Sequence, residues 1–247
     1  KKKNHQTQQM RLNKYLARTG LASRRKCDEF IKNGKIRVNG SVITDFSMDV
    51  TDEDVIMCEG KILQTKEDTI VYMMNKPKGV ICTNNDPQGR PTIFELIKEN
   101  RRLYSVGRLD RDTTGLILLT NDGDLSYKLT HPKFEITRKY WVKTGEDIPN
   151  SELIKTKKGI ILENGEKARF VLRRIERKGQ KVFWDIQLKE GKNQEVKRIF
   201  INLGSRVMDL HRYHFAGMEL GNLKPGTYRK LKMPELKFLN EQIQKKR

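Results

Sequence analysis

From residue 70 to about residue 235 the chain carries one strand-like run after another, and helical patterns do not alternate with them. TIVYMMN, GVICT, YSVGRL, GLILLTN, KYWVKTG, GIILENG, RFVLRRI and VFWDIQL all read as strands, against helical patterns only in IFELIKEN and QEVKRIFINLG. A doubly wound parallel sheet needs regular alternation of strand and helix. This stretch therefore predicts an α+β fold with a mixed, mostly antiparallel sheet and flanking helices.

The preceding residues predict a second, smaller unit. Leu12 and Leu16 lie four apart with Tyr15 beside them, a short amphipathic helix that Gly20 can end. Ser23 stands as N-cap of a second helix, SRRKCDEFIKNG, whose Cys27, Phe30 and Ile31 form one apolar stripe before Gly34. KIRVNGSVI then alternates around Asn39-Gly40, a hairpin turn signal. The expected organisation is a basic tail at 1–9, a helix-helix-hairpin domain at 10–57, a polar linker at 58–69, the large domain at 70–238 and a basic tail at 239–247 that closes in NEQIQKKR.

Charge says what such a chain meets. Lys and Arg number 51 against 31 acids, a net of +20, well beyond what solubility needs. Residues 1–40 hold twelve of these cations against Asp28 and Glu29. Half of the excess thus falls in about a sixth of the length, which points to a nucleic-acid-binding module. Arg18, Arg24, Arg25, Lys26, Lys35 and Arg37 lie on its polar faces, with Arg24 to Lys26 at the start of the second helix, where the helix dipole also favours phosphate. No segment approaches the roughly 18 consecutive apolar residues of a membrane helix, and KKKNHQTQQ has no apolar run behind it to make a signal peptide. Cytoplasmic location and no membrane partner are expected. A chain that opens on KKK and first reaches Met at Met10 also reads as trimmed from something longer. Cys27, Cys58 and Cys82 are odd in number and irregular in spacing, so reduced thiols are expected rather than disulfides or zinc.

Chemistry concentrates in SVGRLDRDTTGLILLTNDGDL, where Asp110 and Asp112 run straight into an apolar strand. A carboxylate at the mouth of a buried strand needs a partner or a purpose. A turn whose Asp and Thr side chains bond to the backbone explains the same residues, and local sequence leaves both readings open. Asp110, Asp112 and Thr114 also spell D-x-D-x-T, which resembles the nucleophile motif of haloacid-dehalogenase-type phosphatases. Gly107 and Arg108 interrupt the strand that should precede that motif, and the strand-helix alternation of that fold is missing.

Longer patterns carry further. RLNKYLARTGLASRRKCDEFIKNGKIRVNG resembles the small RNA-binding domain named after ribosomal protein S-four, over residues 10–57. VGRLDRDTTGLILLTNDG, KLTHP, TRKYWV, EGKNQEVKRIF and VMDLHR, in that order and spacing, resemble the pseudouridine synthases of the RsuA and RluB group over about residues 70–235. This second resemblance implies isomerisation of uridine to pseudouridine in ribosomal RNA, large-subunit rather than small-subunit, by a monomer needing no cofactor and no metal. It places the catalytic aspartate at Asp110, the aromatic residue that packs on the target base at Tyr140, and the basic residue that pairs with the aspartate at Lys197. Arg108, Leu109 and Leu210 fall at positions that shape the pocket, and Asp112 is left a structural role.

These residue types suit the reaction. A carboxylate can attack the nucleotide or stabilise positive charge on the sugar only while ionised. Burial raises a carboxyl from its free value of ~3.9, and a cation within hydrogen-bonding reach typically lowers it by about 1–3 units, so Lys197 is expected to hold Asp110 charged. The base must be flipped out of its stack, and an aromatic face such as Tyr140 can receive it. Tyr140 and Trp141 must point to opposite faces of their strand, so one of them can line a cleft. Arg206, His211, Arg212 and His214 read as an RNA-facing rim, the two histidines being too few for zinc. A non-catalytic RNA-binding or ribosome-assembly factor is the alternative that the basic N-terminal unit alone would support.

Overall fold

A computed structural model describes residues 9–64 and 68–244 of the protein. The chain divides into two compact units, Lys1–Thr69 and Ile70–Arg247. In the first, β1 (Met10–Arg11), α1 (Leu12–Arg18) and α2 (Arg24–Lys32) precede β2 (Ile36–Val38), β3 (Ser41–Ile43), β4 (Asp49–Val50), β5 (Ile56–Cys58) and β6 (Lys61–Leu63). Ser23 caps α2, its side chain accepting from Lys26 N at 3.2 Å. Asn39 and Gly40 both adopt positive φ, the geometry of a tight turn that matches strand twist, and Arg37 pairs with Val42 across it. Leu12, Leu16, Cys27, Ile31, Ile36 and Ile56 close one core.

Two boundaries differ from expectation. The hairpin is part of a four-stranded sheet, β3-β2-β5-β6, so residues 58–63 are not linker. Positive φ at Glu59 and Gly60 turns the chain back, and Cys58 pairs with both Ile36 and Lys61. The polar composition of CEGKIL reflects an outer strand with solvent on one side. The tail expected at 1–9 lies outside the described residues except for Gln9.

The second unit runs β7 (Val71–Lys76), β8 (Tyr104–Ser105), β9 (Thr114–Thr120), α3 (Gly123–Thr130), β10 (Arg138–Thr144), α4 (Asn150–Thr156), β11 (Ile160–Ile161), β12 (Lys167–Ala168), β13 (Phe170–Lys178), β14 (Lys181–Leu188), α5 (Glu195–Asn202), β15 (Val207–Phe215), β16 (Met218–Glu219), β17 (Tyr228–Lys230) and α6 (Met233–Gln244). Its main sheet has the order β13-β14-β10-β15-β9-β7-β17. Only β15 and β9 are parallel, so the sheet is mixed and mostly antiparallel as expected. Leu116–Leu119 is an unbroken apolar run because β9 is covered on both faces. Ile117 and Leu119 join the core holding Val142, Trp184 and α5 residues Ile199 and Phe200, while Leu116 and Leu118 join Leu125, Leu129, Leu239 and Ile243 of α3 and α6. Truncating a buried aromatic such as Phe200 to Ala would cost about 3–5 kcal/mol.

Leu239 and Ile243 also correct the C-terminal expectation: residues 239–244 continue α6 and bury two apolar side chains. IFELIKEN is not helical but a series of turns. Ile93 and Ile97 are buried all the same, so the apolar spacing that suggested a helix marks a packed loop. GVICT contributes a single bridge, Ile81 to Thr92.

Candidate active site

The loop ahead of β9 is built before any chemistry is asked of it. Thr113 N donates to Asp110 O at 3.1 Å and closes a turn. Gly79 N reaches Arg111 O at 2.8 Å, and beneath the turn lies Lys76, with no solvent exposure. The Lys76 ammonium donates to Thr113 O at 2.8 Å, Pro77 O at 3.0 Å and Arg111 O at 3.4 Å. Burial pushes the Lys76 pKa down, opposed by nearby Cys82, Asp112 and Asp110. Leu109 N donates to Cys82 Sγ at 3.4 Å. A buried cation with three carbonyl acceptors makes this a fixed turn rather than a floppy loop.

Asp110 emerges from it half-buried, beside a cleft that Arg108, Leu109, Tyr140, Lys197 and Leu210 also line. All six site residues expected from the sequence thus meet in one place. Lys197 Nζ, on α5, lies 3.1 Å from Asp110 Oδ2. A larger groove of about 550 Å³ opens beside Trp141, but neither Asp110 nor Tyr140 lines it, so size alone would not choose the cleft that holds them.

Tertiary packing brings these segments together. β9 and β15 pair only through Thr114–His211 and Gly115–Arg212. A Cβ at Gly115 would lie 2.2 Å from Arg212 O, and φ there is +106°, so this crossing admits only glycine. It sets the end of the Asp110 loop beside Leu210. β10 then lies on the other side of β15 with Tyr140 opposite Arg212. Tyr140 is buried at 8% exposure, whereas Trp141 is 50% exposed and stacks on Tyr213 at 4.6 Å. Alternation along β10 therefore separates the pair, and Tyr140 is the one in the cleft.

Two expectations need correction. Arg212 is no RNA-facing rim: it is 2% exposed and its Nε donates to Leu116 O at 2.7 Å. His211 is partly buried and meets Thr114 Oγ1 through Nδ1 at 2.9 Å; burial pushes its pKa down. Arg206 remains exposed. Asp112 is also more than a turn residue. Both of its oxygens lie against Lys197 Nζ, at 2.8 and 2.9 Å, and that hydrogen bond holds Asp112 below the usual carboxylate range. For Lys197, burial works against the charge, but hydrogen bonds to Asp112 and Asp110 outweigh it and raise the pKa.

Sequence reasoning also missed Lys76 and Glu195. The first had a signal, a lysine ending the apolar run VYMMNK. Glu195 is 4% exposed at the start of α5 and lines the cleft. Its Oε2 accepts from Lys192 N at 3.0 Å, fastening the loop before the helix, and burial pushes its carboxyl up.

In the first unit Arg18, Arg24, Arg25, Lys26, Lys35 and Arg37 are all exposed. Arg24, Arg25 and Lys26 occupy the first turn of α2, as the sequence placed them. Lys26 pairs with Glu29 and Lys35 with Glu59, interactions that water screens and RNA phosphates can displace.

Comparison with known proteins gives the family of both units. A family model described as RNA pseudouridylate synthase matches residues 70–202, and one described as S4 domain matches residues 10–56. Ribosomal large subunit pseudouridine synthase B of Bacillus subtilis is 40% identical over 233 residues, covering 93% of this chain and 95% of that protein. The Pseudomonas aeruginosa protein of the same name is 35% identical over 242 residues, covering 94% of this chain and 62% of that protein. A solved structure described as a pseudouridylate synthase superposes with a TM-score of 0.67 at 31% identity, covering 93% of this chain and 99% of that one. The chain accordingly belongs to the RNA pseudouridylate synthase family, with an S4 domain ahead of its synthase domain.

Proposed function

We propose that this protein converts a uridine of ribosomal RNA, in the large subunit, to pseudouridine, with Asp110 as the reacting carboxylate. The observation that carries the reading is the convergence of Asp110, Lys197 and Tyr140, from three separate segments, on one cleft with a 3.1 Å ion pair at its centre. The reaction breaks the bond from ribose C1′ to the ring nitrogen, turns the uracil and rejoins it through a ring carbon. Product and substrate have the same atoms. Asp110 either attacks the nucleotide or faces the positive charge that develops on the sugar. Lys197 holds the carboxylate in line, Tyr140 stacks on the extruded base, and Arg108, Leu109 and Leu210 bound the space it enters.

The exposed cations of α1, α2 and β2 supply sequence-independent hold on the RNA. We infer action as a monomer, in the cytoplasm where ribosomal RNA is met. Large-subunit RNA is favoured by the names of the relatives in Bacillus and Pseudomonas. The direct test is to incubate the protein with ribosomal RNA from a strain lacking it and map pseudouridine. One new site in large-subunit RNA is expected, absent with Asp110→Asn. No new site, or full activity in Asp110→Asn, overturns the reading, and undiminished cellular function of Asp110→Asn would favour a non-catalytic assembly factor. Substrate RNA with 5-fluorouridine at the mapped site would separate attack on sugar from attack on ring by the adduct it leaves.

A further inference from the structure

Lys197 has two carboxylates, and the nearer of them is not the one expected to react. Its ammonium lies 2.8 and 2.9 Å from the two oxygens of Asp112 and 3.1 Å from one oxygen of Asp110. The side chains form a graded series in depth, Lys197 at 21% exposure, Asp110 at 35% and Asp112 at 59%. Asp112 therefore grips the ammonium from the solvent side while Asp110 faces it beside the cleft.

Asp112 is also held in place. Lys76 binds the carbonyls of Arg111 and Thr113, the residues on either side of it, and Gly79 N binds Arg111 O again. The backbone that presents its carboxylate is as firmly fastened as any in the loop. If the residue served only the turn, neither of its oxygens would need to reach across to another helix.

We propose that Asp112 is a positioning residue, a standing counter-ion that keeps Lys197 in register while Asp110 is engaged by the substrate. The inference rests on the functional reading above and holds whichever way Asp110 acts. In the free enzyme one positive charge is shared between two carboxylates, so Asp110 is oriented without being captured. Once Asp110 bonds to the nucleotide or turns its charge to the sugar, its pull on Lys197 weakens. An ammonium left four-fifths buried with no anion would be costly; with Asp112 in place it stays paired and is ready to receive the carboxylate again. Without Asp112, Lys197 would bind Asp110 alone before the reaction and lack a partner during it. Both effects slow the chemical step, and neither bears on RNA docking.

The test is a double-mutant cycle with the full chain on a large-subunit RNA transcript, reading kcat and KM separately. Asp112→Asn should lower kcat roughly 10- to 100-fold, the range set by loss of a charged hydrogen bond, with KM changed little. Asp112→Glu should restore part of the rate. Asp112→Asn added to Lys197→Met should cost almost nothing further, because the residue acts through Lys197. Unchanged kcat in Asp112→Asn, or losses that multiply in the double mutant, would overturn the proposal. A fall in melting temperature matched by kcat losses in both Asp112→Asn and Asp112→Glu would assign the residue to the turn instead. If the wild type forms no pseudouridine in the same assay, the functional reading falls and takes this inference with it. If only the cycle fails, the functional reading stands.

Discussion

The cations singled out in the two units stand in opposite environments. In the S4 domain Arg18, Arg24, Arg25, Lys26, Lys35 and Arg37 all remain exposed, and the glutamates that pair with Lys26 and Lys35 are exposed as well. In the synthase domain Lys76, Arg138 and Arg212 are 0%, 7% and 2% exposed. Arg138 donates to Ile136 O and Lys189 O, Arg212 to Leu116 O, and Lys76 to the carbonyls of Pro77, Arg111 and Thr113. A cation in water remains free to meet a polyanion, while a buried one must satisfy its donors inside the protein. The first kind is open to RNA, the role proposed for it, and the second fastens backbone inside the domain.

This contrast can be broken from either side, and the largest effect is expected where the buried cations converge. Asp110→Asn should bring pseudouridine formation below detection while RNA affinity stays near wild type, since the variant keeps the shape of the cleft and every exposed cation. A matched loss of binding would show that the two kinds of charge are not separable. Next in size is Lys76→Met, which leaves the carbonyls of Pro77 and Thr113 without this donor, while Arg111 O keeps Gly79 N. Unsatisfied buried groups cost about 1–3 kcal/mol each, so the urea midpoint should fall clearly and activity should suffer even in the folded fraction. A midpoint within error of wild type would mean that Lys76 does not fasten the loop.

Arg24→Glu with Arg25→Glu addresses the exposed set. It should weaken RNA binding at low salt and make the dependence of log affinity on log salt shallower by about 0.9 for each phosphate the variant no longer neutralises, with kcat at saturating RNA preserved. An unchanged slope would remove these residues from the interface. The smallest effect is a control within the synthase domain. Glu99 accepts from Arg101 Nε and Nη2 at 3.0 Å and from Tyr72 Oη at 2.7 Å, and the Arg101 guanidinium leads in lowering its pKa to about 2. A carboxyl depressed in the folded state contributes stability that is complete above its unfolded value and is lost as pH falls toward the folded one. Stability should therefore drop between about pH 4.5 and 2, the two ends of that shift, and Glu99→Gln should flatten this part of the profile. An identical profile in the variant would assign the loss to other carboxylates.

Legibility followed the range of the interaction. Ser23, Asn39-Gly40 and the apolar stripe of α2 were readable because caps, turns and helix faces are set within a few residues. IFELIKEN misled because a packed loop can show the same apolar spacing as a helix, and the C-terminal stretch because Leu239 and Ile243, its two buried residues, sit among polar and charged neighbours. The cleft was legible by resemblance: Asp110, Tyr140 and Lys197 stood in family order, although nothing in their spacing says that they touch. The Asp112–Lys197 pair was not legible because the local reading offered only turn or catalyst, and the two residues lie 85 apart.

By itself the sequence determined the two-unit plan, the basic N-terminal domain and the mixed character of the large sheet, since each is written in local periodicity and charge. It also carried Asp110 as the candidate carboxylate. The tertiary structure decided which cations are available to RNA and which are locked inside, because burial depends on segments distant along the chain. It placed Arg212 in the interior rather than on a rim, set Lys76 beneath the loop, and gave Lys197 two carboxylates. A charge acquires its role from its depth and its partners, and for Arg212 both are settled where β9 and β15 cross at Gly115.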